Sequence, residues 1–129
     1  MNYLLEEVLE IDQALEAQDL ETAQESSYYD MDEYRKAVAI LTTEEIAASD
    51  VDITVKFEQY DGTTTKDLGD ETEITDGGDG NAHMLTAEID VTEMDDEFDQ
   101  IRVHAEVDDS TDPVGSVILI RGNPRYMPV

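Results

Sequence analysis

Apolar and polar positions alternate with a period of two in three stretches of this chain, the pattern of strands that bury one face. Ile101, Val103, Ala105 and Val107 alternate with Arg102, His104 and Glu106, and Val51, Ile53, Val55 and Phe57 alternate with Asp52, Thr54 and Lys56. Leu85, Ala87, Ile89 and Val91 form the third set, while Leu68, Thr72 and Ile74 give a weaker strand interrupted by Gly69 and Asp70. Two segments are apolar without alternating: residues 37–41 (AVAIL) and 114–120 (VGSVILI). Their length and β-branched content favour strands, the second covered on both faces. The turn formers at 108–113 (DDSTDP) stand between the strand ending at Val107 and the one starting at Val114. Residues 98–122 therefore predict two adjacent antiparallel strands around which the core is built.

Residues 2–18 carry a different period. Leu4, Val8, Ile11 and Leu15 recur at spacings of four, three and four, with Leu5 and Leu9 widening the stripe. That spacing predicts an amphipathic helix. Glu6, Glu7, Glu10, Asp12 and Glu16 occupy other positions, with no Lys or Arg to form i,i+4 pairs. A lone helix of this length is marginal in water, so it must pack on the domain's own sheet or on another subunit or partner. Residues 19–27 (DLETAQESS) are polar and linker-like. The expected organisation is a helical arm and linker over 1–27, then an antiparallel β-sandwich over 28–129. About six to eight strands, jelly-roll-like or immunoglobulin-like, would fit the pattern.

Charge changes the picture. The 129 residues contain 34 Asp and Glu against 7 Lys and Arg, a formal net charge of −27. Lysine stands only at Lys36, Lys56 and Lys66. Such a surface repels itself at low ionic strength. The Debye length shrinks to about 3 Å in 1 M salt, where the repulsion is screened. High charge with few aromatics also marks disorder, but the apolar strand faces favour a folded protein adapted to concentrated salt. Phosphate binding needs clustered cations, so nucleic acid is not the expected partner. No apolar run approaches the roughly 20 residues of a membrane helix, and the acidic N-terminus does not resemble a signal peptide. With no cysteine there are no disulfides or thiolate metal sites.

Candidate chemistry is sparse. Asp76 and Asp79, within 76–81 (DGGDGN), have the composition of half a calcium repeat. Ala82 stands where another acid is needed, and a glycine-rich hairpin turn explains the stretch equally. No cofactor is expected, and calcium is retained only as a weak candidate at these two residues. His83 falls in a loop and His104 on a strand's polar face, and two histidines alone do not make a zinc site. No nucleophile motif or phosphate loop occurs, so no catalytic residue is assigned and no enzyme is expected. Tyr28, Tyr29 and Tyr34 could offer a carbohydrate platform or, more simply, pack beside a strand. Arg121 and Arg125, in a chain so poor in cations, point to specific carboxylate pairing within the domain or with a neighbour.

The succession of YYDM (28–31), YRK (34–36), FDQIRV (98–103) and VILIRGNPRY (117–126) is similar to small β-sandwich structural proteins of tailed viruses. The resemblance implies a virion component and, with the acidity, a virus of a halophilic archaeon. The expected role is a capsid decoration, cement or turret protein, assembled in the host cytoplasm, homo-oligomeric and bound to the major capsid protein. Leu4, Val8, Ile11 and Leu15, with Arg121, Arg125 and Tyr126, are the expected partner and oligomer contacts. Two alternatives stand beside it: a head–tail connector or tail protein, and a glycan- or calcium-binding module for host attachment.

Overall fold

The alternating stretches become strands close to where their pattern places them. The computed structural model describes residues 9–46, 51–75, 81–108 and 113–124. Nine strands run in order: β1 (Leu9–Asp19), β2 (Gln24–Glu25), β3 (Tyr29–Asp30), β4 (Tyr34–Thr43), β5 (Asp52–Tyr60), β6 (Thr65–Ile74), β7 (Met84–Asp90), β8 (Gln100–Asp108) and β9 (Val114–Pro124). One sheet has the order β1-β9-β4-β7, and the other runs β2-β8-β5-β6 with β3 also on β8. All pairings are antiparallel. Counting β2 and β3 as one interrupted strand beside β8, the order is that of an eight-stranded jelly roll. Between the two sandwich types left open by the sequence, the strand order chooses the jelly roll.

The core lies between the sheets. From the five-stranded sheet come Ile53, Val55, Phe57, Ile101, Val103 and Ala105, and from the other Ala39, Leu41, Ala87, Ile89, Val117 and Leu119. These are the inward positions that the period-two pattern selects. Their burial removes apolar surface from water, the main favourable term in folding.

Two expectations are corrected. The strands flanking residues 108–113 do not pair: β8 lies between β5 and β2/β3, and β9 lies between β1 and β4. The chain crosses from one sheet to the other there, with Leu20 tying both ends through its bonds to Pro113 O and from Val107 N.

The helix expected over 2–18 is also overturned for the part described, where residues 9–19 form strand β1. Acids at i,i+4, such as Asp12 and Glu16, oppose a helix. The edge of β9 offers hydrogen bonds along eleven residues instead. The mismatch between a helical spacing and a strand period is absorbed by register shifts between Gln13 and Leu15 and between Leu15 and Gln18. They turn Ile11 outward and Leu15 inward. Leu15 and Leu20 join the common core, so the described part of residues 1–27 is built into the sandwich rather than projecting as an arm.

Strand β6 carries the interruption foreseen at Gly69 as a bulge. Val55 pairs with Thr72 and Phe57 with Leu68, so β6 places extra residues opposite β5. Gly69 has φ +70, and a Cβ there would sit 3.3 Å from Ile89 Cγ2. Gly69→Ala is expected to cost about 1–2 kcal/mol through left-handed strain. Urea unfolding followed by circular dichroism measures it; an unchanged midpoint would mean that the bulge relaxes freely.

Candidate functional site

Among the described residues, nothing packs on the outer face of the four-stranded sheet, whose middle rows are largely apolar. Opposed residues of antiparallel strands share a face, so the register defines its rows. One row reads Ile11, Ile120, Val38 and Glu88 across β1, β9, β4 and β7; the next reads Gln13, Ile118, Ile40 and Thr86. A third holds Ser116, Thr42 and Met84. Ile11 is 59% exposed, Ile118 42% and Met84 68%. In these three rows Glu88 is the one charged side chain, and the next row adds Lys36 and Asp90. For a chain of net charge −27 this is an almost neutral surface. At one end, Ala17, Thr42, Thr43, Glu44, Val114, Gly115 and Ser116 line an open dent of about 170 Å³. Gly115 itself has no room for a side chain toward the core, where a Cβ would sit 2.6 Å from Leu20 Cδ1 and 3.1 Å from Thr42 O.

The outer face of the five-stranded sheet is built differently. Thr54, Lys56 and Glu58 of β5 stand opposite Glu106, His104 and Arg102 of β8. Lys56 pairs with Asp67 at 3.0 Å, and Arg102 with Glu58 at 3.0 Å and Glu25 at 3.2 Å. The hydrogen bond that Lys56 donates to Asp67 holds its ammonium above the ordinary lysine pKa. This face is polar, as the alternation of β5 and β8 predicts, and the structure adds that its charges are ion-paired.

Where the expected contact residues fall is mixed. Ile11 is on the open apolar face, whereas Leu15 is 6% exposed in the core. Arg121 is 8% exposed at the sandwich margin. It donates to Asp30 O at 2.7 Å and Asp12 Oδ2 at 3.0 Å. Its guanidinium carbon lies 5.3 Å from the Tyr29 ring centre and 4.8 Å from that of Tyr34. Burial pushes both phenols up, with Asp12 adding to it at Tyr29 and Arg121 opposing it at both. Arg121 therefore staples β9 to β1 and β3, the within-domain alternative left open by the sequence. Leu4, Val8, Arg125, Tyr126, Asp76 and Asp79 lie outside the described residues.

The tyrosines do not converge. Tyr29 and Tyr34 flank Arg121, whereas Tyr28 stacks on Tyr60 at 4.0 Å and 11°. Arg102 lies over the Tyr28 ring at 5.0 Å, and the Tyr28 hydroxyl bonds Thr65 Oγ1 at 2.5 Å. A parallel neighbour at 4.0 Å fills one ring face, so the guanidinium takes the other and little of Tyr28 is left for a sugar. Among the described residues no group of three or more His, Asp or Glu is arranged to hold a metal ion.

Two exposed carboxylates act as turn anchors. Asp61 Oδ1 accepts from Thr64 N at 2.6 Å and Thr63 N at 2.8 Å. Asp90 Oδ1 accepts from Thr92 N at 3.0 Å and completes a capping box with Glu93. These bonds hold both carboxyls below the usual aspartate range. A carboxyl depressed in the folded state adds stability above the unfolded value of about 3.9, and loses it as pH falls through the folded value. Asp61→Asn and Asp90→Asn keep an acceptor without titrating. Between pH 5 and 2 their melting temperatures are expected to depend less steeply on acid than wild type, and identical slopes would refute the anchoring.

The apolar face was the feature that sequence reasoning missed. Its signal was present, because 114–120 and 37–41 place apolar residues on both parities. A doubly covered strand was the inference; one face instead lies open.

No family model matches the chain, and no curated protein matches it. Among solved structures it is similar to a chain in the structure of the Gx strain of infectious bursal disease virus, at 12% identity and TM-score 0.54. The match covers 92% of this chain and 33% of that one, so this chain spans a third of its length. It is also similar to a chain of the cowpea mosaic virus top component, the naturally occurring empty particles, at 8% identity and TM-score 0.52. That match covers 93% of both chains. At these identities the likeness establishes the shared β-sandwich fold.

Proposed function

We propose that this protein is a structural subunit of a virus particle, a decoration, cement or turret component seated on the capsid shell. The observation that carries the reading is the open, nearly neutral apolar face on a jelly roll that is acidic almost everywhere else. Apolar surface of this kind is left uncovered in soluble proteins chiefly where an assembly covers it. The fold supports the reading, since jelly rolls build viral capsid domains, and the similar chains belong to virus particles. Fold alone does not choose, because lectins and cupins share it. The covered ring of Tyr28 weighs against a glycan platform. Contacts to the major capsid protein are assigned to Leu4, Val8, Arg125 and Tyr126.

The acidity supports a halophilic archaeal host, and tailed architecture follows the sequence resemblance. Screening of the −27 charge is expected to raise the melting temperature between 0.1 and 2 M KCl, as the Debye length falls from about 10 Å to about 2 Å. Cryo-electron microscopy of purified particles, with copy number from quantitative mass spectrometry, tests the function. Hundreds of copies on the shell support decoration. Six or twelve at the neck would move the protein to the head–tail connector, and absence from particles would sink the proposal.

A further inference from the structure

We propose that the outer face of the four-stranded sheet pairs with the same face of a second copy of this chain. The two-fold axis would run parallel to the strands, between β9 and β4. In the order β1-β9-β4-β7 this line is the middle of the sheet. A rotation about it exchanges β9 with β4 and β1 with β7 while leaving each row at its own height. Ile118 and Ile120 of one copy then lie across from Ile40 and Val38 of the other, apolar against apolar. Gln13 meets Thr86 at the rim. Met84, the most exposed large apolar side chain described, swings over the dent lined by Ala17 and Ser116. Knob and hole sit on opposite sides of the midline at the same end of the sheet, the arrangement that a self-complementary contact requires. A thioether is well suited to an irregular hollow.

Charge selects the same occupant. Two molecules of net charge −27 repel over most of their surfaces, and they can meet only where acids are few. In its register rows this face offers Glu88, Asp90 and Lys36, toward one end and beside β7, and Glu44 borders the dent at the other end. The sheet edges are poor alternatives. Edge strand β1 is broken by two register shifts and carries Glu10, Asp12, Glu16 and Asp19, devices that discourage edge pairing.

Size predicts a weak contact. Four strands about 4.8 Å apart and about seven residues long at about 3.3 Å each present roughly 440 Å². Stable interfaces bury about 800 Å² per partner. The pair should therefore form at high protein concentration and high salt, as suits a contact repeated across an assembly. The inference rests on reading this face as an assembly contact, but not on the assembly being a virion.

Sedimentation equilibrium of the full chain in 0.1 and 3 M KCl is expected to show a monomer–dimer equilibrium in high salt and mainly monomer in low salt. Met84→Glu and Ile118→Ser, each checked for folding by circular dichroism, are expected to weaken the dimer at least tenfold. Geometry has its own test. The double variant Ala17→Cys with Met84→Cys places its thiols on β1 and β7, three strand spacings or about 14 Å apart within one molecule. That exceeds the roughly 7 Å limit for a disulfide, and the chain has no other cysteine. Facing sheets lie about 10 Å apart, too far for a direct disulfide as well. The readout is therefore a thiol cross-linker about 6–8 Å long, which reaches between facing thiols but not across the one molecule. In 3 M KCl it is expected to give a covalent dimer on a gel.

A chain that stays monomeric at 3 M KCl, or a dimer indifferent to both substitutions, overturns the pairing. If the chain is monomeric and Ile118→Ser abolishes binding to emptied capsids, the face belongs to a different shell protein and self-pairing fails while the virion role stands. Dimers sensitive to both substitutions, formed by a chain absent from particles, would uphold the pairing and retire the virion role.

Discussion

Replacing Arg121 with alanine is expected to lower the melting temperature by roughly 10 °C. The guanidinium sits at the sandwich margin, 8% exposed, with one nitrogen donating to Asp30 O and another to Asp12 Oδ2. The rings of Tyr29 and Tyr34 cover it. Truncation leaves the Asp12 carboxylate beside a hole, removes the partner of a backbone carbonyl, and strips two rings of their packing. Removing one partner of a buried pair costs about 3–5 kcal/mol. Asp12 is 28% exposed on its side chain, so the lower end applies. For a domain of this size, about 3 kcal/mol corresponds to that shift. Arg121→Lys keeps the charge but not the flat two-donor fork, and is expected to recover less than half of the loss. A melting temperature within about 2 °C of wild type for Arg121→Ala, under 1 kcal/mol on the same scale, would show that the staple holds nothing. Arg121 Nε is buried without a hydrogen-bond partner. That cost is part of the native state and makes the net gain smaller than the contacts alone suggest.

The second large effect is expected at Phe57. Among the described residues it is the largest side chain fully enclosed by the two sheets, opposite Val103 on one side and Leu68 on the other. Phe57→Ala removes a ring from a close-packed interior and is expected to cost about 3–5 kcal/mol, while Phe57→Leu should cost under about 1.5 kcal/mol. Urea unfolding in 2 M KCl, followed by far-ultraviolet circular dichroism because the chain has no tryptophan, gives both values. If alanine shifted the midpoint no more than leucine, the packing between β5 and the facing sheet would be looser than the structure implies.

How legible the fold was depended on how local its causes are. Phe57, Val103 and Ile89 announced their inward orientation because each sits in an alternation that only a half-buried strand explains. The turn at Asp61 and Gly62 has equally local causes: an aspartate that caps its own backbone and a glycine with φ +99 act within four residues. Arg121 stood out through rarity, as one of few cations, but rarity could not say whether its carboxylate belonged to this chain or to another. The interaction face was hidden in plain view, since Ile118 and Ile40 look the same in sequence whether a second layer covers them or nothing does.

The amino-acid sequence by itself determined the β class, most strand positions and the inward set of side chains, because a period of two along the backbone needs no distant partner. It also determined the electrostatic character of the surface, which depends on count alone. Only the tertiary structure decided that residues 9–19 complete a sheet rather than coil, since the hydrogen bonds that outweigh a helical spacing come from β9, far along the chain. Only it decided that β8 and β9 part into different sheets, because each edge has one free place and β1, β4, β5 and β2 compete for it. And only the completed sandwich, by closing one side of the four-stranded sheet and leaving the other open, separated core isoleucines from those waiting for a neighbour.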